Sequence, residues 1–333
     1  MMDNALQKTV KAIGLSSGGL DSILAGVLLK KLGIDVLWAC FKTPFFNADH
    51  AKMASEKTGI PVLVQDITPI YVEMLKNPKQ GYGKNMNPCM DCHTLMYQCA
   101  GKLMPQTGAQ FLFSGEVLGQ RPMSQTRSAL NYVEKQSGFQ GYILRPLSAK
   151  HLPETIPEQN KWVDRDQLLD ITGRSRKKQI DLAEQWGITD YPKSGGGCLL
   201  TDSKYAQRLK DLFDNGPFHD FRDLYLLQWG RHFRLPKNQK IIVGRNEGDN
   251  KKIIHYYRKE SDILLKTVDF PGPTTLIPYG CNTTTIAEAA SITLAYTKSD
   301  TDTVSCLQCT RPDGISEITV KPIARDILKN WIL

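Results

Sequence analysis

Lys11-Ala12-Ile13-Gly14-Leu15-Ser16-Ser17-Gly18-Gly19-Leu20-Asp21-Ser22-Ile23-Leu24 decides how this chain is read. Its first five residues form an apolar run of strand length. From Asp21 to Lys31, Ile23, Leu24, Val27 and Leu28 recur at helical spacing. The joint between them carries paired glycines, which let the backbone bend and approach an anion because no Cβ intervenes. Backbone N–H groups at the helix start, with the Ser17 and Ser22 hydroxyls, can hold phosphate oxygens. Asp21 stands where it could hold a magnesium ion bridging them. Ser and Asp are also good N-caps, so a plain capped turn is the alternative. The string contains neither the Gly-Lys-Ser/Thr of a Walker loop nor the Gly-x-Gly-x-x-Gly of a dinucleotide site.

Outward from this loop, strands alternate with helical patterns. Ile34–Phe41, Ile60–Val64, Gln110–Phe113 and Gly141–Leu144 read as strands. Ala48–Thr58, Cys92–Met104, Asp164–Thr172 and Arg176–Trp186 read as helices. Such alternation predicts an α/β fold with a mostly parallel sheet covered on both faces. Ligands then bind at the carboxyl ends of the strands, where Ser16, Phe41 and Ser114 fall. Tyr191-Pro192-Lys193-Ser194-Gly195-Gly196-Gly197-Cys198 is a breaker-rich joint. Beyond it the apolar segments Ile241–Gly244, Asp262–Val268 and Ala290–Tyr296 suggest a smaller, mixed α+β domain. The expected division is 1–200 and 205–333.

The 333 residues suit two domains, and 41% hydrophobic with 23% charged residues is an ordinary globular balance. No run approaches the roughly 18 apolar residues of a membrane span. The first residues lack the apolar stretch of a secretion signal, so a soluble, cytoplasmic protein without membrane contact is expected. Net charge is +8, and between Arg231 and Lys259 nine Lys/Arg stand against two Asp/Glu. That patch is either a solvated surface or a phosphate contact. Eight cysteines are too few for a disulfide scaffold. Cys89/Cys92 and Cys306/Cys309 have Cys-x-x-Cys spacing, which points to metal or redox chemistry. Cys40 and Cys99 lie in apolar contexts and read as core. Nothing in the sequence sets the oligomeric state.

Ser17-Gly18-Gly19-Leu20-Asp21-Ser22 resembles the signature of the PP-loop ATP pyrophosphatases. The resemblance implies a Rossmann-like, adenine nucleotide alpha hydrolase-like domain that breaks ATP between its α and β phosphates. Ser16, Ser17, Gly18, Gly19, Asp21 and Ser22 would bind the nucleotide, with the loop cradling the pyrophosphate leaving group. Ser114-Gly115-Glu116-Val117-Leu118-Gly119-Gln120 with Ser124-Gln125-Thr126, then Leu144-Arg145-Pro146-Leu147, is similar to the PP-loop domain of tRNA 4-thiouridine synthetases. This implies adenylation of a uridine oxygen in tRNA, followed by displacement of AMP by sulfur. Gly115, Glu116 and Gln120 would line the nucleotide pocket. That family's N-terminal RNA-binding and rhodanese-like domains are not expected here, so tRNA grip and sulfur relay must come from elsewhere.

Asn87-Pro88-Cys89-Met90-Asp91-Cys92-His93 opens a helical pattern, and thiolates at a helix start have lowered pKa values. With Cys198, Cys89 and Cys92 could bind three irons of a [4Fe-4S] cluster and leave the fourth open, a pattern resembling several PP-loop tRNA thiolases. A persulfide on Cys198 resolved by one of the pair, and a zinc site, are the alternatives. Inorganic sulfide or a cysteine desulfurase would supply the sulfur. Cys306/Cys309 lack nearby further ligands and read as structural or accidental.

Gln228-Trp229-Gly230-Arg231-His232-Phe233-Arg234, followed by Lys240–Asn250, is similar to the RNA-binding domain of NFACT-type proteins. Arg231, Arg234 and Arg245 would meet phosphate and Trp229 or Phe233 a base, unless the aromatics are core. Arg174, Arg176, Lys177 and Lys178 add a basic cluster that faces either RNA or solvent. The expected activity is ATP-dependent tRNA thiolation through Asp21, Cys89, Cys92 and Cys198, with ATP, Mg2+ and a [4Fe-4S] cluster. An amidating ligase and an RNA-binding protein with a vestigial loop are the other readings.

Overall fold

Ala12 and Ile13 are fully buried because β1 (Lys11–Leu15) is the middle strand of a five-stranded sheet. The computed structural model describes residues 9–192, 197–216, 218–298 and 303–333, and the predicted glycine joint at 193–196 lies outside them. The chain separates into two units, Met1–Leu199 and Leu200–Leu333.

In the first unit β1 runs into α1 (Leu20–Lys31), then β2 (Asp35–Lys42), α2 (Asp49–Thr58), β3 (Val62–Asp66) and α3 (Thr68–Lys76). There follow α4 (Cys89–Thr107), β4 (Phe111–Ser114), α5 (Arg127–Ser137), β5 (Ile143–Leu144), the short α6 (Ile156–Gln159) and α7 (Lys177–Gln185). Every strand pairing is parallel, in the order β3-β2-β1-β4-β5. The chain therefore leaves β1 toward one side and β4 toward the other, which opens a crevice at their carboxyl ends. The expected Rossmann-like parallel sheet is what the structure shows.

Close packing sets the sheet's covering. Gly26 of α1 admits the Trp38 indole, where an added Cβ would lie 2.6 Å from its nitrogen. Gly14 of β1 lies under the Phe113 ring, where a Cβ would meet carbon at 2.2 Å. Trp38, Phe111 and Phe113 are all 0% exposed.

The structure departs from expectation at two places. Thr68–Lys76 is a helix that period counting overlooked, although Pro69 stands in its first turn and Tyr71, Val72 and Leu75 face inward. Asp164–Thr172 is not a helix. A single 3-10 turn at Arg165–Gln167 gives way to extended backbone, because Leu169 and Ile171 donate to the Pro146 and Leu147 carbonyls. Tertiary pairing has overridden the local pattern.

The second unit is α+β. It contains α8 (Ser203–Asn215), α9 (Arg222–Leu226), β6 (Arg231–Leu235), β7 (Gln239–Val243), α10 (Glu247–His255), β8 (Ile263–Thr267), β9 (Thr275–Ile277), α11 (Thr283–Ala295), β10 (Ser305–Arg311) and β11 (Gly314–Val320). Six antiparallel strands run in the order β11-β10-β8-β9-β7-β6. The apolar segment Ala290–Tyr296 is the end of α11, which packs Ile286, Ala289, Ala290 and Leu294 into the core under the sheet. No helix among the described residues is long and apolar enough to cross a membrane.

Gly14→Ala forces a methyl group into the Phe113 ring. It is expected to lower the stability of the first unit by about 1–3 kcal/mol, seen as an earlier urea midpoint at unchanged slope.

Candidate active site

The phosphate loop sits at the carboxyl end of β1. Gly18 has φ +72°, and a Cβ there would come within 2.2 Å of the His50 backbone at the start of α2. Both facts demand glycine. The Gly18 N–H donates to Ser16 Oγ at 3.1 Å, Ser16 Oγ donates to Ser22 Oγ at 3.2 Å, and Ser22 Oγ donates to the Gly19 carbonyl at 2.8 Å. Ser17 is exposed. Gly19 occupies the N-cap of α1 with no side-chain hydrogen bond to the helix. The first-turn amides are therefore not claimed by a side-chain cap, which disfavours the capped-turn alternative and leaves the positive end of the helix facing the loop.

The loop after β4 packs onto this one. A Cβ on Gly115 would lie 2.3 Å from the Asp21 backbone. Gln120 donates to Asp21 Oδ2 at 2.7 Å and accepts from Gln179 of α7 at 2.7 Å. Asp21 Oδ1 has no hydrogen-bond partner, and the guanidinium of Arg176 lies 3.8 Å from it. A carboxylate held by one oxygen with the other left over suits a magnesium ligand. Arg176, grouped by sequence with an RNA-facing cluster, thus stands beside the phosphate loop. Arg174 and Lys177 are exposed, and Lys178 pairs with Asp170 at 3.1 Å.

Glu116, expected to line the nucleotide pocket, has its carboxylate engaged by four protein partners. It is 6% exposed, and its oxygens meet His93 Nδ1 at 2.7 Å, Tyr97 at 2.9 Å, Ser114 at 3.1 Å and Arg145 at 3.0 Å. Burial alone would push Glu116 up, but the Arg145 guanidinium and the bonds from His93 and Tyr97 hold it well below the usual carboxylate range. This network ties the loop after β4 to the first turn of α4, where the cysteines stand.

Cys89 and Cys92 are three apart on α4 and so share a helical face. The Asn87 amide donates to Cys89 Sγ at 3.2 Å. Cys198 arrives from the far end of the unit because the Leu199 N–H donates to the Phe45 carbonyl at 2.9 Å. Phe45 in turn packs its ring 5.5 Å from that of Tyr71 on α3. The Tyr71 hydroxyl faces Cys92, and Cys89, Cys92 and Cys198 all act on it electrostatically. A Cys-x-x-Cys pair and a third thiol over a hundred residues further along the sequence thus share one neighbourhood. Loss of solvent, reinforced by Cys198 and Cys89, pushes the Cys92 thiol up, against the lowering expected at a helix start. Here desolvation outweighs the helix dipole.

Among the described residues no group of three His, Cys, Asp or Glu is set to hold a metal ion. The zinc alternative gains no support from this. His93 is engaged by Glu116, and Asp91 accepts from the Gln80 N–H at 2.8 Å. The donors left to the site are the sulfurs of Cys89, Cys92 and Cys198, all free thiols. Cys306 and Cys309 lie on β10, where Cys309 is buried near Cys281 and Cys306 is on the opposite face beside Glu317. They cannot serve one ligand. Cys40 and Cys99 are core, at 2% and 6% exposure.

In the second unit the named arginines are engaged internally. Arg234 grips Asp211 through two bonds of 3.0 and 2.6 Å, Arg245 grips Asp249, and Arg231 donates to the Gly244 carbonyl and lies over Tyr296. Phe233 is 0% exposed and cannot stack on a base; Trp229 is half-buried with Lys252 over its ring. His232 is core, bonded to the Trp229 carbonyl at 2.9 Å. Sequence reasoning missed Tyr71, Tyr97 and Gln179, and took His93 only as a possible zinc ligand with Cys89 and Cys92. His93 was signalled only by standing next to Cys92.

Residues 8–156 match the family model described as thiamine biosynthesis protein (ThiI), and residues 230–332 match that of the NFACT protein RNA binding domain. The first unit is thus similar to the PP-loop domain of 4-thiouridine synthetases, and the second resembles the NFACT RNA-binding domain. The tRNA-specific 2-thiouridylase MnmA 2 of Thermoanaerobacter sp. (strain X514) is 27% identical over 245 residues, covering 65% of this chain and 63% of that protein. A probable tRNA sulfurtransferase of Methanobrevibacter smithii is 31% identical over 146 residues, covering 41% of this chain and 37% of that protein. The chain thus spans about three fifths, or less, of the curated relatives it matches. A solved 4-thiouridine synthetase–RNA complex with bound ATP aligns at a TM-score of 0.34 and 20% identity, covering 55% of this chain and 54% of that one.

Glu116→Gln leaves Arg145 with Glu134 as its remaining carboxylate. It is expected to cost about 3 kcal/mol at pH 7. Because the folded-state pKa of Glu116 is depressed, its contribution is full above the unfolded value of about 4.3 and is lost as pH falls toward the folded one. Urea titrations should show the gap between wild type and variant narrowing below about pH 4.3.

Proposed function

We propose that the chain catalyses ATP-dependent thiolation of a uridine carbonyl in tRNA. The observation that carries this reading is the gathering of Cys89, Cys92 and Cys198 around Tyr71 in the same unit as the phosphate loop. A ligase that delivers ammonia has no use for three convergent thiols.

In the first step the uridine oxygen attacks the α phosphorus. An O–P bond forms, the bridge to the β phosphate breaks, and pyrophosphate leaves with the electron pair. Charge develops on that leaving group, where the amides following Gly18 and Gly19 and the Arg176 guanidinium lie. Magnesium would be held by Asp21, whose Oδ1 accepts no hydrogen bond and lies 3.8 Å from Arg176, and would neutralise the same charge. In the second step sulfide-level sulfur attacks the activated carbon, a C–S bond forms and AMP leaves with the C–O electrons. No net oxidation occurs. The His93–Glu116–Arg145 chain fixes the first turn of α4, and with it Cys89 and Cys92, relative to the loop.

A [4Fe-4S] cluster on Cys89, Cys92 and Cys198 would supply an open iron able to carry hydrosulfide. The second reading is a persulfide on Cys198: its outer sulfur attacks the activated carbon, AMP leaves, and Cys89 or Cys92 then attacks the Cys198 sulfur, freeing the thiouridine and leaving a disulfide that an external thiol reductant must reduce. The sulfur donor is inorganic sulfide in the first case and a cysteine desulfurase in the second. The second unit would hold the RNA, with exposed lysines of its basic stretch such as Lys237 and Lys259 meeting phosphates.

Pyrophosphate release from ATP, measured anaerobically with unmodified tRNA transcript, should rise with the RNA. Asp21→Ala should lower it by about 100-fold or more. Cys198→Ser should keep pyrophosphate release yet yield no thiouridine in a nucleoside digest. Turnover indifferent to tRNA, or to Asp21, would overturn the reading. Iron and acid-labile sulfide in the anaerobically purified protein separate cluster from persulfide.

A further inference from the structure

A cavity of about 200 Å³ lies wholly in the second unit, far in sequence from the phosphate loop. Leu226, Leu227, Ile242 and Pro278 make its walls apolar. Asp223, Arg234, Lys240 and Tyr279 bring polar atoms to the same space. At about 30 Å³ per water the volume equals roughly six or seven waters. That admits a single small ring system and leaves any attached sugar and phosphate outside.

Tyr279 is the feature that marks the cavity as built. It is an aromatic residue with φ +62°, a left-handed conformation that bulky side chains adopt only under constraint. Two buried carboxylates impose it. The Tyr279 N–H donates to Asp262 at 3.1 Å, and its hydroxyl is within 2.9 and 2.8 Å of the two Asp223 oxygens. Asp262 is 0% and Asp223 6% exposed. Arg222 covers the ring at 5.1 Å while bonding Asp262 at 2.6 Å. A strained side chain fixed at both ends places its hydroxyl on the cavity wall.

Charge narrows the ligand. Lys240, with its side chain 12% exposed, shares Asp211 with Arg234, and Asp223 lies close enough to act on Lys240. Two cations are thus matched by two carboxylates. Burial pulls Lys240 down to about 8 and pushes Asp223 up. An anion would find no net attraction here. A neutral ring carrying both donors and acceptors would find apolar walls for its faces, the Lys240 donors and Asp223 acceptors for its edge.

We infer that this cavity binds a nucleobase edge-on to Lys240, Asp223 and Tyr279, with the backbone of the nucleotide left at the mouth. The exposed Lys237 beside the lining residue Asn238 is placed to meet a phosphate there. The base can come from an unstacked position in RNA or from a free nucleoside. Only the RNA source rests on the role proposed for this unit above.

The test uses the full chain with uridine, cytidine, adenosine and guanosine as probes, followed by saturation-transfer NMR, and with unmodified tRNA transcript followed by filter binding. At least one nucleoside should bind the wild type, and Tyr279→Phe and Lys240→Met should each weaken it at least tenfold. Weakened tRNA binding in the same variants identifies RNA as the source; unchanged tRNA binding with weakened nucleoside binding identifies a free nucleoside. Asp211 keeps Arg234 in the Lys240→Met variant, so that chain should fold if Tyr279→Phe does not, and thermal unfolding checks both. The inference is overturned if neither nucleosides nor tRNA distinguish the variants from wild type. Pyrophosphate release by the wild type reports separately on thiolation, so one reading can fail without the other.

Discussion

Two backbone-on-backbone contacts support the catalytic geometry. Gly18 lies against the start of α2, and Gly115 lies against Asp21. Neither site has room for a Cβ, so the loops after β1 and β4 are locked together at the point where the sheet's topology diverges. The uncapped start of α1 then faces the crevice, and Gln179 and Gln120 orient Asp21 from the other side. A phosphate site made of amides needs this rigidity, because its donors have no rotamers with which to adjust.

The second organising element is the buried carboxylate of Glu116. By accepting from His93, Tyr97, Ser114 and Arg145 it welds the loop after β4 to the first turn of α4. Thiols and phosphate loop are thereby parts of one frame within the first unit. Next to Cys198, the Leu199 N–H is bonded to the Phe45 carbonyl of the same frame.

The α/β architecture was legible because β1, the glycine turn and α1 agree in period and turn chemistry. Boundaries such as Asp35–Lys42 against the expected Ile34–Phe41 differ by a residue. Asp164–Thr172 was misread because its extended backbone depends on the Pro146 and Leu147 carbonyls, which no local pattern reveals. Among site residues, Asp21 could be singled out from its motif alone. Glu116 could be located by motif but not by role, since its partners His93 and Arg145 stand 23 and 29 residues away. The cavity around Tyr279 had no sequence signal at all: Asp223 and Tyr279 are 56 residues apart and neither lies in a motif.

The two Cys-x-x-Cys pairs carry a wider lesson. On α4, a separation of three is nearly one full turn, so both sulfurs project the same way. On β10 the identical separation is an odd number of pleats, and Ser305, Leu307 and Cys309 point inward while Cys306 points out. A chelating spelling is therefore meaningful only once the periodicity of the backbone beneath it is known. Searches for sulfur-ligand pairs would discard many false matches by discounting those that fall on alternating, strand-like sequence.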